Sequence, residues 1–128
     1  MPALSENAAS TAMSSQPTKD ESLAAVPVPS SDVAVQLTGE GLVRLSYPLR
    51  FHPWLGRLLP RRVAAGARRT IELDGMGSFV WSHIDGRRSV AGLAELVVGR
   101  YACLPVEAET AVAEFLRQLG RRGIIGLR

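Results

Sequence analysis

Large apolar side chains are sparse up to residue 32 and then recur in two distinct rhythms. From Val33 to Leu37 they alternate with small or polar residues, as a half-buried strand requires. Leu42-Val43-Arg44-Leu45 repeats the alternation less cleanly, and Thr38-Gly39-Glu40-Gly41 lies between. The two segments read as a hairpin closed by a glycine-bearing turn. Arg69-Thr70-Ile71-Glu72-Leu73 predicts a third strand, with Ile71 and Leu73 on one face and Thr70 and Glu72 on the other.

After Leu73 the period changes to that of a helix. Asp74 is placed as an N-cap, and Met76, Phe79, Val80 and Ile84 form one apolar face that stops at Asp85-Gly86. Trp81 falls outside that face and is expected to pack under the long loop that precedes the third strand. Ser89 caps a second helix, with Val90, Leu93, Ala94, Leu96, Val97 and Tyr101 inward. A third helix starts near Pro105, which lacks only an N–H that has no partner in a first turn. Its face is Ala108, Val112, Phe115, Leu116 and Leu119, and Gly123 ends it before Ile124-Ile125-Gly126-Leu127 returns to the core. The order predicts an α+β fold: a small three-stranded antiparallel sheet followed by three helices, in a winged helix-turn-helix-like arrangement.

Two stretches do not fit either rhythm. Residues 1–32 are rich in Ser, Ala and Pro and are expected to form a disordered N-terminal tail, leaving 33–128 as the domain. Residues 47–68 form a long basic insert with three prolines, in which Phe51, Trp54 and Leu58 either cover a flank of the core or serve a function.

The formal net charge is +3, but it is unevenly spread. The first 32 residues are acidic, whereas the span from Arg44 to Arg69 holds seven arginines and no carboxylate. Such a segment attracts polyanions or acidic peptides, or serves only to keep a loop solvated. The single Cys103 excludes an internal disulfide and suits a reducing cytoplasm. No secretory signal or membrane-spanning run is present, so a cytoplasmic location is expected. His52, His83 and Cys103 lack metal-ligand spacing, Gly75-Met76-Gly77 lacks the rest of a phosphate loop, and Ser78 sits in no nucleophile elbow. No cofactor, metal or catalytic residue is expected, and the protein reads as a non-enzyme.

The run from Ile71 to Val90 resembles the signature of the PqqD-like family. The resemblance rests on Leu73-Asp74 closing a strand, the small Gly77, the pair Val80-Trp81, then Asp85-Gly86 and Ser89-Val90. Phe115 to Ile125 resembles the family's last helix and its glycine stop, although the family's shortest members lack a long insert. The resemblance implies a peptide recognition element, or peptide chaperone, for ribosomally made and post-translationally modified peptides. Its partners would be the leader of a precursor peptide and a peptide-modifying enzyme, a radical S-adenosylmethionine enzyme among the candidates. Carried onto this chain, the leader would add as a strand beside Arg69, Thr70, Ile71, Glu72 and Leu73. The groove wall would come from Val112, Leu116 and Leu119, with Arg117 or Gln118 at the rim; each reads equally well as core, and for Val112 and Leu119 core is the stronger reading. The competing reading is a winged-helix nucleic-acid-binding regulator, supported by the basic charge. Glu107, Glu109 and Glu114 on the third helix would be repelled by phosphates, so nucleic acid is not the expected partner.

Overall fold

The computed structural model describes residues 18–49, 58 and 66–128. Along the chain run α1 (Lys19–Ala24), β1 (Pro27–Pro29), β2 (Ala34–Leu37), β3 (Val43–Pro48) and β4 (Arg68–Glu72). α2 (Gly75–Ser82), α3 (Val90–Tyr101), α4 (Pro105–Arg121) and β5 (Ile125–Leu127) follow. The fold is α+β. β2, β3 and β4 make a three-stranded antiparallel sheet in that order, and β1 pairs with β5 in a second, two-stranded ladder. No helix among the described residues is long and apolar enough to cross a membrane.

The hairpin forms where the alternation places it. Thr38 donates its N–H to Leu42 O at 2.8 Å, and Gly41 takes a φ of +81° that a side chain would resist. Val43, Leu45 and Tyr47 point into the core from β3, while Arg44 and Ser46 point out. β3 runs further than its alternation suggests, and Leu49 N–H still reaches Ala67 O at 2.9 Å. Tyr47, Pro48 and Arg68 therefore belong to the sheet rather than to the insert. Phe51 and Trp54 lie outside the described residues, and Leu58 is exposed.

Residues 18–32 depart from the expected tail. Thr18 and Glu21 form a reciprocal capping box at the start of α1, and Leu23 and Ala25 pack against the core. Val26 and Arg128 exchange two backbone hydrogen bonds, of 3.0 and 2.8 Å, and Ser30 N–H reaches Ile124 O at 2.9 Å. That register puts Pro27 and Pro29 at positions whose N–H would not enter the ladder, so the prolines cost it nothing. A composition that suggests disorder thus conceals an edge strand. Residues 1–17 lie outside the described span.

α2 also packs differently from its apolar pattern. Its buried side is Gly77, Ser78, Val80 and Trp81, while Met76 and Phe79 are only half-buried. Trp81 is a core residue, 9% exposed, and most of the loop it was expected to pack under lies outside the described residues. The cause is a polar contact that apolar periodicity does not register. Val43 N–H donates to Ser78 Oγ at 2.9 Å, and that hydroxyl reaches Leu73 O at 3.3 Å, holding the helix to the sheet by its small-residue side. α3 follows its cap, with Gly92 N–H on Ser89 Oγ at 3.1 Å, and packs against α4 around Leu93, Val97, Val112 and Leu116.

Candidate functional site

β4 pairs with β3 on one side, and among the described residues no strand lies on the other. Which of its backbone groups are free follows from two bonds. Leu73 donates to Val43 O at 2.8 Å and Leu49 donates to Ala67 O, so positions 67, 69, 71 and 73 face β3. In an antiparallel ladder the intervening residues turn their N–H and C=O outward. Arg68, Thr70 and Glu72 therefore present backbone donors and acceptors along an open edge.

The side chains of β4 separate by function. Those of Arg68 and Glu72 lie on the outer face. Arg68 donates to Ser46 Oγ, Ser46 O and Asp32 O at 2.8–2.9 Å, and Glu72 pairs with Arg44 at 3.1 Å. Arg69, Ile71 and Leu73 lie on the inner face, opposite Tyr47, Leu45 and Val43 respectively. There they meet α4 across a groove made of two hollows, of about 720 and 300 Å³, that share Gln118 and Arg122.

The wall is one stripe of α4. Phe115, Gln118, Leu119 and Arg122 fall at i, i+3, i+4 and i+7, and so on one side of the helix. Phe115 is seated against Gly77: a Cβ there would stand 3.0 Å from its Cε1, so the glycine is what lets α2 approach the ring. Arg122 is the C-cap residue of α4. Gly123 N–H bonds Gly120 O and Ile124 N–H bonds Leu119 O, both at 3.0 Å, with Gly123 at φ +74°. This Schellman closure turns the chain and leaves Arg122 facing the sheet, where its Nη1 donates to Tyr47 Oη at 3.0 Å.

Charge divides the groove. Arg69, Arg121 and Arg122 line the larger hollow, with no carboxylate beside them among the described residues. The smaller hollow contains Ile71, Leu73, Phe115 and Leu119, together with two acids that already have partners. Glu72 is held by Arg44, and Asp74 accepts the Gly77 N–H at 2.7 Å as N-cap of α2. The groove is thus basic at one end and mixed at the other, where Ile71 and Phe115 offer apolar surface among polar neighbours.

Of the residues expected to bind, Arg69, Ile71, Glu72, Leu73 and Leu119 line the groove, and Thr70 supplies outward backbone. Three lie elsewhere. Val112 and Leu116 are 0% and 4% exposed and belong to the core between α3 and α4. Arg117 points to the opposite side of α4, pairs with Glu114, and lines a hollow near α1 and Leu127. Each residue turns a helix by about 100°, so Leu116 and Arg117 are rotated away from a stripe centred on Phe115 and Leu119. Tyr47, Phe115 and Arg122 were the residues not expected. Phe115 was legible as apolar, but nothing local distinguishes a groove-facing aromatic from a core one. Among the described residues no group of three or more His, Cys, Asp or Glu could hold a metal.

Both walls of the groove can be set against known proteins. The family model of coenzyme PQQ synthesis protein D (PqqD) matches residues 62–125, half of the chain. The chain belongs to the PqqD family. The PqqD match takes in β4 and all of α2, α3 and α4, and so the whole of the groove except the Tyr47 end. Among solved structures, the PqqD truncation of Methylobacterium extorquens PqqCD matches with a TM-score of 0.54 and 20% identity, over 79% of this chain and 88% of that one. That protein is described as a functional and stand-alone recognition element for ribosomally synthesised and post-translationally modified peptides. At this identity the likeness establishes a shared fold. No curated protein matches the chain.

Proposed function

We propose that this protein binds the leader segment of a ribosomally synthesised precursor peptide as an added strand on β4 and presents it to a peptide-modifying enzyme. The observation that carries this reading is the row of outward backbone groups at Arg68, Thr70 and Glu72, lying beside a groove rather than in open solvent. An extended peptide can bond that row whatever its sequence, while alternate side chains enter the groove and supply selectivity. A net gain of about 0.5–1.5 kcal/mol per backbone bond, with one or two buried apolar side chains, is consistent with a micromolar tether near −8 kcal/mol. That strength holds a substrate and still releases it. Membership of the PqqD family supports a role in precursor recognition, and in this reading the protein is a binding element of the cytoplasm, not a catalyst.

The register selects the variant that tests this. Ile71→Pro removes an N–H that β3 needs, so it damages the sheet as well as any peptide site. Thr70→Pro removes only an outward N–H, which an edge strand tolerates. The leader of a precursor encoded beside this gene is expected to bind the wild-type protein and to lose most of its affinity for the Thr70→Pro variant, with circular dichroism unchanged. Equal binding by that variant rejects strand addition on β4.

A further inference from the structure

The two ends of the groove differ enough to specify the class of peptide it takes. Resting on the strand-addition reading, we infer that the captured segment carries a carboxylate side chain gripped by Arg122, at an even spacing along the strand from an apolar side chain seated beside Phe115 and Leu119.

Arg122 is held in place before any peptide arrives. The Schellman closure fixes its backbone, and the hydroxyl of the buried Tyr47 takes one of its guanidinium protons. A guanidinium has five N–H donors in a rigid fork, so most of its capacity remains, and a fork of this kind suits a carboxylate in two-point contact. Arg122 lines both hollows and so sits where the mixed end meets the basic one. Arg69 and Arg121 extend the positive charge, and neither makes an ion pair with a described residue. Arginines near the end of α4 also complement the helix dipole, but that accounts only for those on the helix. Arg69 comes from β4, and its convergence with Arg122 on one hollow has no such explanation. Of the acids at the other end, Glu72 is paired with Arg44 and Asp74 is turned to the Gly77 N–H, and among the described residues neither forms an ion pair with the cluster.

A strand added to β4 sends every second side chain to the groove. Because Arg69 and Ile71 are neighbours on the inner face of β4, their opposite numbers on the added strand are also separated by one outward residue. An acidic and a large apolar residue at even spacing is therefore the pattern that fits, and a lysine at the acidic position is repelled.

The test uses a random displayed-peptide library selected on the immobilised full chain. Wild type is expected to enrich peptides with Asp or Glu at an even spacing from a large apolar residue, and Arg122→Glu to switch that position to Lys or Arg. In the best selected peptide, replacing Asp or Glu by its amide should weaken binding about tenfold, as for a charge-assisted hydrogen bond, and should have no such effect on Arg122→Gln. Tyr47→Phe keeps the buried ring but frees Arg122, and should narrow the acid-against-amide difference. Enrichment of apolar peptides without an acidic preference, abolished by Thr70→Pro, overturns the carboxylate inference and leaves strand addition standing. An acidic preference unchanged in folded Arg122→Glu overturns it as well, because the charge is then read elsewhere. Enrichment unaffected by Thr70→Pro, or no enrichment on wild type, overturns the strand-addition reading itself.

Discussion

The three-stranded sheet has two edges, and they are not equivalent. At β2, the Thr38–Leu42 bond sets the register so that Ala34 and Gln36 bond β3 while Val35 and Leu37 turn their backbone outward. Among the described residues no further strand lies on that edge either, and it is more apolar: Val35 and Leu37 are 54% and 69% exposed although they share a face with buried Leu45 and Val43. What distinguishes β4 is a wall. α4 stands beside β4 and converts a row of backbone groups into a groove with a basic end and an end where Ile71 and Phe115 add apolar surface. An unpaired edge alone accepts any extended chain and is an aggregation hazard; an edge with a helix beside it can choose.

That contrast can be broken in graded ways. The largest effect is expected in the wall itself. Leu119 is 2% exposed, so Leu119→Ala should lower the unfolding free energy by about 2–5 kcal/mol, measured by urea titration. Phe115→Ala, at a half-buried position, should mainly weaken peptide binding, by about tenfold, measured by calorimetry. Next is the matched pair of edge prolines. Thr70→Pro should cost about 1–3 kcal/mol of binding through a lost donor and its unpaired partner, whereas Val35→Pro, which removes an outward N–H from β2, should leave peptide affinity unchanged. Equal losses in both would mean that β2 also holds peptide. Gly123→Ala forces a side chain into the left-handed region at +74° and should cost about 1 kcal/mol of stability. It should also loosen Arg122 and lower affinity for acidic peptides more than for neutral ones. The smallest effect is expected from Val35→Ser with Leu37→Ser, within about 0.5 kcal/mol in stability, but with slower aggregation at high concentration, followed by light scattering.

Much of this was legible in the chain. Asp74 and Ser89 cap their helices as their side chains dictate, because an orphan N–H is satisfied locally and needs no distant partner. The hairpin at 38–41 and the glycine stop at 123 are local in the same sense. The first strand of the fold was not legible. Pro27 and Pro29 look like breakers until β5 is brought alongside in a register that asks nothing of their nitrogens. Nor could apolar periodicity find the inner side of α2, because Ser78 faces inward to accept the Val43 N–H, a contact made across 35 residues of sequence.

The sequence by itself determined where the last three helices begin, that the strands of the larger sheet alternate, and that a basic, α+β domain resembling PqqD would result. Those features depend on neighbours within a turn or a pleat. Only the tertiary structure decided that Phe115, Gln118 and Arg122, rather than Val112, Leu116 and Arg117, face β4. A helix with apolar residues over more than one side can be rotated in several ways, and the choice is made by what it packs against. Tyr47 and Arg122, 75 positions apart, meet because the end of β3 and the end of α4 close on the same hollow.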